Sequence, residues 1–216
     1  MGRNIERDER EHAVRMEKIA ATAFSVFAEH TIEKVTMSDI ADACGKGVAS
    51  IYRHYSTKPA LVMAISAWIW SRYEAQIVRL GDVREATAAE EFEYYLDSYL
   101  DLYRNHKDML RFNQFFNVYM NQESVTTDAM GPYADVVDRV GARFQLIYAH
   151  AKADGTLRTD IPGREMFLTT LHLMMAAVTR YAVGLAYSGG QDPEQELIML
   201  KNMLLREYVT AERPQL

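Results

Sequence analysis

Residues 44 to 60 combine cationic and hydroxyl side chains in a stretch without a carboxylate. The side chains concerned are Lys46, Ser50, Tyr52, Arg53, His54 and Lys58. Such groups supply the positive charge and the hydrogen-bond donors that phosphates and base edges of nucleic acids require. The segment therefore predicts a small surface for binding nucleic acid.

This positive charge is local, because the 216-residue chain has 24 Lys and Arg residues against 30 Asp and Glu residues and a net charge of −6. Residues 1 to 60 hold nine of each kind, so the acidic excess lies wholly beyond residue 60. A protein coated in basic charge is excluded, whereas a basic site of limited size is not. Cys44 is the only cysteine, which favours a reducing, cytoplasmic setting.

A second group of side chains, rich in tyrosine, suggests a small-molecule pocket. Its members are Tyr95, Tyr99, Tyr103, Phe115, Phe116, Tyr119, Met120, Phe144, Tyr148, Met174 and Met175. Aromatic residues at helical spacing are also typical of ordinary core packing. Buried tyrosine hydroxyls need partners and suit an apolar cavity with a few polar groups, which favours a mostly apolar or aromatic ligand. Both interpretations remain open.

Neither catalytic residues nor a metal or other cofactor is predicted. The six histidines have no metal-binding spacing, and the chain contains neither a GxSxG motif nor a phosphate-binding loop. His172, in an apolar helical stretch, is more typical of a core histidine than of a ligand. The alternative from another class is a helical-bundle binding protein or enzyme whose short helices are only structural.

The elements that position the cationic segment are two short helices. Thr36 is suited to cap a helix over residues 37 to 44, with Asp39 completing a capping box. Gly45-Lys46-Gly47 then breaks the chain before a helix over residues 48 to 54. This arrangement predicts a helix-turn-helix, in which Ile40, Ala41, Ala49 and Ile51 pack between the helices. Ordinary helical hairpins share the spacing, so spacing alone leaves that alternative open.

The remaining periodicity predicts an all-α protein. We expect longer helices over about residues 10–29, 58–80, 86–105, 107–122, 132–153, 163–187 and 193–210. The first has an apolar stripe that includes Val14, Ile19 and Phe27. The charged residues before it could form a minor-groove arm through Arg3, Arg7 and Arg10, but the acids between them favour a disordered, solvated tail. No apolar run approaches the roughly 20 residues of a membrane span. The predicted domains are residues 1–57, a helix-turn-helix head, and residues 58–216, a larger helical bundle.

The last two predicted helices are too apolar for a solvated end of the chain. The residues concerned are Leu168, Leu171, Val178, Leu197, Leu200, Met203 and Leu204. They could pack only on the rest of the chain, or they could pair with the same helices of a second copy in a four-helix interface. A homodimer would present two recognition helices to successive major grooves about 34–36 Å apart, which predicts a palindromic binding site.

Residues 14 to 65 resemble the N-terminal domain of the TetR family of transcriptional repressors. The matching positions are Ala23 to Glu29, Thr36, Asp39-Ile40-Ala41, Gly45, Tyr52 to Lys58 and Leu61. The resemblance implies phosphate contacts by Thr36, Tyr52, His54 and Lys58, and base contacts by Lys46, Gly47, Val48 and Ser50. Lys46 and Gly47 depart from the family's pattern, which has an apolar residue and a capping serine there.

Beyond residue 65, the resemblance extends only to the helix pattern, the chain length and the short segment from Gly155 to Asp160. It implies a cytoplasmic, homodimeric regulator that binds double-stranded DNA and is released from a palindromic operator when a small effector binds the C-terminal domain. Repression is the expected mode of regulation. The sequence specifies neither the effector nor the operator.

Overall fold

The computed structural model describes residues 2–80, 86–122, 131–185 and 192–210, and within these ranges the fold is helical. The helices are α1 (Gly2–Glu29), α2 (Met37–Ala43), α3 (Val48–His54), α4 (Lys58–Leu80), α5 (Ala88–Asn105), α6 (Lys107–Gln122), α7 (Gly131–Asp154), α8 (Gly163–Ala182) and α9 (Pro193–Tyr208). A short 3-10 helix, Ile32–Lys34, precedes α2. The described ranges contain no strand, only an isolated bridge between Leu157 and Val209. The all-α prediction is confirmed.

Two helix boundaries differ from the prediction by more than two residues. α1 begins at Gly2, so the expected disorder of the tail is wrong, whereas residues 7 to 15 are exposed to solvent as expected. Arg7 lies 2.9 Å from Glu11, and Arg15 lies 3.7 Å from the same carboxylate, so the charge pattern supports a helix through pairs four residues apart. α8 ends at Ala182 and not near residue 187, because Gly184 takes a left-handed conformation with φ of 80°.

The chain forms two compact units, and the first comprises residues 1–71 and 112–133. Its core is built from one apolar face of α1, the two short helices, the first part of α4 and the second part of α6. The fully buried members include Ile19, Phe27, Ile40, Ile51, Leu61, Ile65, Phe112 and Phe116. Val14 was predicted to belong to the buried stripe, and this is wrong, because it is 64% exposed.

The second unit comprises residues 72–111 and 134–216. Within it α5 packs against α8 and α9, and α8 packs against α9. Phe92, Phe144, Met174 and Val178 lie in its core. Lys201 of α9 is also mostly buried, and its ammonium lies 2.6 Å from Asp97 and 2.9 Å from Glu93 of α5.

The boundaries of the units lie inside α4, α6 and α7, between residues 71 and 72, 111 and 112, and 133 and 134. These units describe packing, whereas the predicted domains, residues 1–57 and 58–216, divide the chain by function. That functional division stays a prediction. Of the described helices, none is both long and apolar enough to cross a membrane.

Candidate nucleic-acid interface

The predicted cap of the first short helix is present. The Thr36 side chain accepts a hydrogen bond from the Asp39 amide at 3.2 Å, and Asp39 accepts from the backbone N–H and the hydroxyl of Thr36 at 2.7 and 2.8 Å. These hydrogen bonds lower the pKa of the Asp39 carboxyl. Thr36 is exposed, as a phosphate contact requires, but the capping box uses both of its hydrogen-bond donors.

The turn between α2 and α3 depends on Gly45, whose φ is 61°. The Lys46 amide donates to the Ala41 carbonyl at 2.9 Å and so closes the end of α2. Gly47 is the N-cap of α3 and supplies no side-chain cap. The structure therefore places Lys46 in the turn and begins the second short helix at Val48.

The two short helices pack through Ile40, Ala41 and Ile51, which are buried as predicted. The prediction is wrong for Ala49, which is exposed. Ala49 instead shares the outer surface of α3 with Val48, which is 40% exposed, and Tyr52, which is 48% exposed. Apolar and hydroxyl groups therefore lie on the outer surface of a helix short enough to enter a major groove.

The other predicted contact residues differ in how accessible they are. Gly47 is exposed, whereas Lys46, Ser50, His54 and Lys58 are partly buried. The Lys58 ammonium lies 3.4 Å from the Glu33 carbonyl oxygen and 5.1 Å from the centroid of the Tyr119 ring. Lys58, at the start of α4, therefore contacts both the 3-10 helix and α6 within the first unit. Its predicted phosphate contact stays a prediction.

His54 has a neighbour that the sequence analysis missed. The His12 ring of α1 meets the His54 ring edge to face, with the centroids 5.2 Å apart. Partial burial lowers the pKa of His54, and the positive charges of His12, Arg53, Arg15 and Lys46 lower it further. A signal for His12 was present, because it lies four residues before Met16 and seven before buried Ile19, on the continuation of the buried face.

Cys44 ends α2 and is partly buried. Burial raises the pKa of its thiol, which keeps the group protonated at neutral pH. Its surroundings are those of a small packing residue. Among the described residues, no cluster of His, Cys, Asp and Glu side chains could hold a metal ion.

The predicted effector residues are divided between the two units. Phe115, Phe116, Tyr119 and Met120 lie in the first unit, and Tyr95, Tyr99, Tyr103, Phe144, Tyr148, Met174 and Met175 lie in the second. All are buried except Phe115 and Met175, which are partly exposed. Each unit thus has its own buried aromatic set.

In the second unit, the Tyr95 and Tyr99 hydroxyls lie 2.6 Å apart. Burial raises the pKa of both, that of Tyr95 to about 12. The Phe144 ring contacts Tyr95, Phe92 and Phe167, at centroid distances of 5.4, 6.0 and 5.4 Å. Tyr148 has a structural partner, because its hydroxyl donates to the Ile161 carbonyl at 2.6 Å.

The predicted dimer residues divide by exposure. Val178, Leu197 and Leu204 are buried within the single chain, so they are not on a surface where a second copy could pack. Leu168, Leu171 and Leu200 are partly exposed, and Met203 is 55% exposed. The same two helices also expose the apolar residues Leu173, Ile198 and Met199, which were not predicted from the sequence.

Comparison with known proteins gives a family match over the helix-turn-helix. Residues 19–65 match the model for bacterial regulatory proteins of the tetR family. Over 208 residues, covering 94% of this chain and 96% of the other, the sequence is 25% identical to the HTH-type transcriptional repressor AcnR of Corynebacterium diphtheriae.

Two solved structures share the fold. A putative transcriptional regulator from Saccharomonospora viridis, in complex with choline, is 17% identical, with 93% of this chain and 100% of that chain covered and a TM-score of 0.75. AibR, in complex with isovaleryl coenzyme A and operator DNA, is 18% identical, with 88% and 98% covered and a TM-score of 0.66.

Proposed function

Since this chain belongs to the tetR family of bacterial regulatory proteins, we propose that it is a cytoplasmic homodimeric repressor that releases a palindromic operator when a small effector binds. The observation that carries the proposal is the outer surface of α3. Val48, Ala49 and Tyr52 are exposed there, and Lys46 and Arg53 supply positive charge beside them. This combination suits a helix that contacts base edges while its flanks bind phosphates.

Base recognition is assigned to the start of α3. Val48 offers a methyl surface for a thymine methyl group, and Lys46 offers an ammonium for guanine O6 and N7. Gly47 lets the backbone approach the bases, and Ser50 can donate or accept. Phosphate binding is assigned to Tyr52 and His54, with Thr36 and Lys58 at the edges of the motif.

The dimer is assigned to the exposed apolar surface of α8 and α9. α9 exposes Ile198, Met199 and Met203 within two turns, and α8 exposes Leu173. Apolar side chains that recur on one helix face favour helix pairing with a second copy. AcnR, a repressor with a similar length of chain, supports the assignment of repression.

The effector is assigned to the buried aromatic set of the second unit, around Tyr95 and Tyr99. Two hydroxyls that bond each other have two protons for one hydrogen bond, so one proton is available to a ligand. The buried Thr170 hydroxyl of α8 also has no hydrogen-bond partner within the described residues. The bound states of two relatives, one with choline and one with an acyl coenzyme A, support a ligand-responsive fold.

Coupling requires the effector to bind the DNA-bound and DNA-free states with different affinities. We expect α4 to transmit the conformational change, because it follows the recognition helix α3 directly and continues from the first unit into the second. We further infer that the protein carries out no reaction of its own. Turnover of a bound compound without any DNA binding would favour the helical-bundle enzyme instead.

The test is selection of duplexes from a random-sequence pool by the purified full chain. We expect a palindrome with half-sites about one helical turn apart. Lys46→Ala should relax the sequence preference at one position of each half-site, by about 1–3 kcal/mol of discrimination. Arg164→Ala is the matched control, because it removes an exposed cation from the second unit. Failure to enrich any sequence, with wild-type protein that is folded and dimeric, would reject the proposal.

A further inference from the structure

The His12 and His54 rings form a pair between two elements that are 42 positions apart in the chain. Their centroids lie 5.2 Å apart with an interplanar angle of 81°. His12 is exposed on α1, and His54 is partly buried in the last turn of α3. Both residues belong to the first unit, so the pair is a feature of the DNA-binding head itself.

The charged groups that act on His54 come from three elements and are all basic. Arg15 and His12 lie on α1, Lys46 lies in the turn, and Arg53 precedes His54 on α3. Arg15 is also paired with an acid, because the Glu11 carboxylate lies 3.7 Å from Arg15 and 2.9 Å from Arg7. The ring pair is therefore placed in a positive field that an anion would relieve.

The protonation state of the pair should depend on that anion. Partial burial and the surrounding cations lower the pKa of His54, so the free protein holds this ring neutral at neutral pH. A phosphate beside the ring would favour the imidazolium form and raise the pKa again. Binding would then take up a proton at any pH between the free and bound pKa values.

We propose that His12 is a further member of the DNA-binding surface, and that the His12–His54 pair couples phosphate binding to proton uptake. The inference rests on the proposed DNA-binding function. His54 is the group that gains the proton beside the phosphate, and His12 is a positioning residue that acts on it through the ring contact. DNA affinity should therefore rise as the pH falls through the physiological range.

The experiment measures binding of two duplexes, the enriched operator and a mixed-sequence duplex of equal length, from pH 8 to pH 6 at constant ionic strength. For wild type we expect affinity for both duplexes to rise about three- to tenfold, within the limit of tenfold per pH unit for one proton. His54→Gln should reduce the rise to less than about twofold, since the titrating group is gone. His54→Lys, a permanent cation, should bind tightly and with no such rise.

His12→Gln tests whether the pH dependence of DNA binding comes from the His12–His54 pair or from His54 alone. Removing the second imidazole should move the midpoint of the rise to higher pH, because His54 then protonates more readily. His150→Gln, which removes a histidine from the second unit, should leave the curve unchanged. Thermal melting of each variant checks that the head is folded.

Each outcome decides between the proposals. A full pH rise in His54→Gln, or an unshifted midpoint in folded His12→Gln, overturns the coupling while DNA binding stands. Wild-type protein that binds neither duplex at any pH overturns the proposed function and this inference with it.

Discussion

At the residue scale, the phosphate contact proposed for Thr36 involves the same groups as its capping box. Its N–H and its hydroxyl both donate to Asp39, so the cap of α2 is complete in the absence of DNA. A phosphate at this position would have to compete with the Asp39 carboxylate for the same donors. Tyr52 differs, because its side chain is 48% exposed on the outer surface of α3.

Tyr52→Phe tests the hydroxyl without changing the shape of the ring. We expect affinity for DNA to fall about three- to tenfold, equally for operator and mixed-sequence duplexes, since a phosphate contact carries little sequence information. Thermal stability should not change. Tyr94→Phe, a partly exposed tyrosine of α5, serves as the control. A loss restricted to the operator would assign Tyr52 to base recognition.

At the element scale, the helix-turn-helix is held by local features at three consecutive points. The capping box begins α2, Gly45 ends it, and buried Ile40 and Ile51 fix the crossing of α2 and α3. Because α3 lacks a side-chain cap at Gly47, its start depends on the turn that precedes it. The position of Lys46 and Val48 therefore depends on the conformation of Gly45.

Gly45→Ala should destabilise the head by about 1–2 kcal/mol, because a residue with a Cβ is strained at positive φ. Crowding is not involved, since an added Cβ would meet no atom within 4 Å. Gly47→Ala is the matched control, because that position is equally open but has φ of −70°. Chemical denaturation measures both. Equal stability of the two variants would contradict the role assigned to Gly45.

At the scale of the whole molecule, the basic segment and the exposed apolar residues of α8 and α9 lie in different units. The basic segment from Lys46 to Lys58 lies in the first unit, whereas residues 61 to 216 carry 15 basic against 21 acidic residues. The exposed apolar residues Leu173, Ile198, Met199 and Met203 belong to the second unit. This distribution favours DNA binding by the first unit and self-association by the second.

Met203→Arg should convert the dimer to a folded monomer, because the side chain is 55% exposed in the single chain and its charge would be buried only at the interface. The monomer should bind the palindrome much more weakly. Leu146→Arg on α7, at 71% exposure, is the control and should stay dimeric. Leu204→Arg should unfold the chain. Sedimentation velocity gives the oligomeric state, and an unchanged Met203→Arg dimer would place the interface elsewhere.

The sequence by itself predicted the all-α fold, the capping box at Thr36, the turn at Gly45 and the short helix at Val48. These features depend on residues within a few positions of one another, so local physical rules were sufficient to identify them. The same rules failed for the start of α1. A disordered tail and a helix with charge pairs four residues apart can have the same composition of acids and bases, so composition did not distinguish them.

Only the tertiary structure decided which members of an apolar or basic set face inward. Val178, Leu197 and Leu204 are buried while Met203 and Met199 are exposed, although all five belong to the same two apolar helices. The His12–His54 pair joins positions that periodicity along either helix does not connect. Burial and pairing of this kind depend on which faces of separate helices meet, and that is set by the packing of the whole unit.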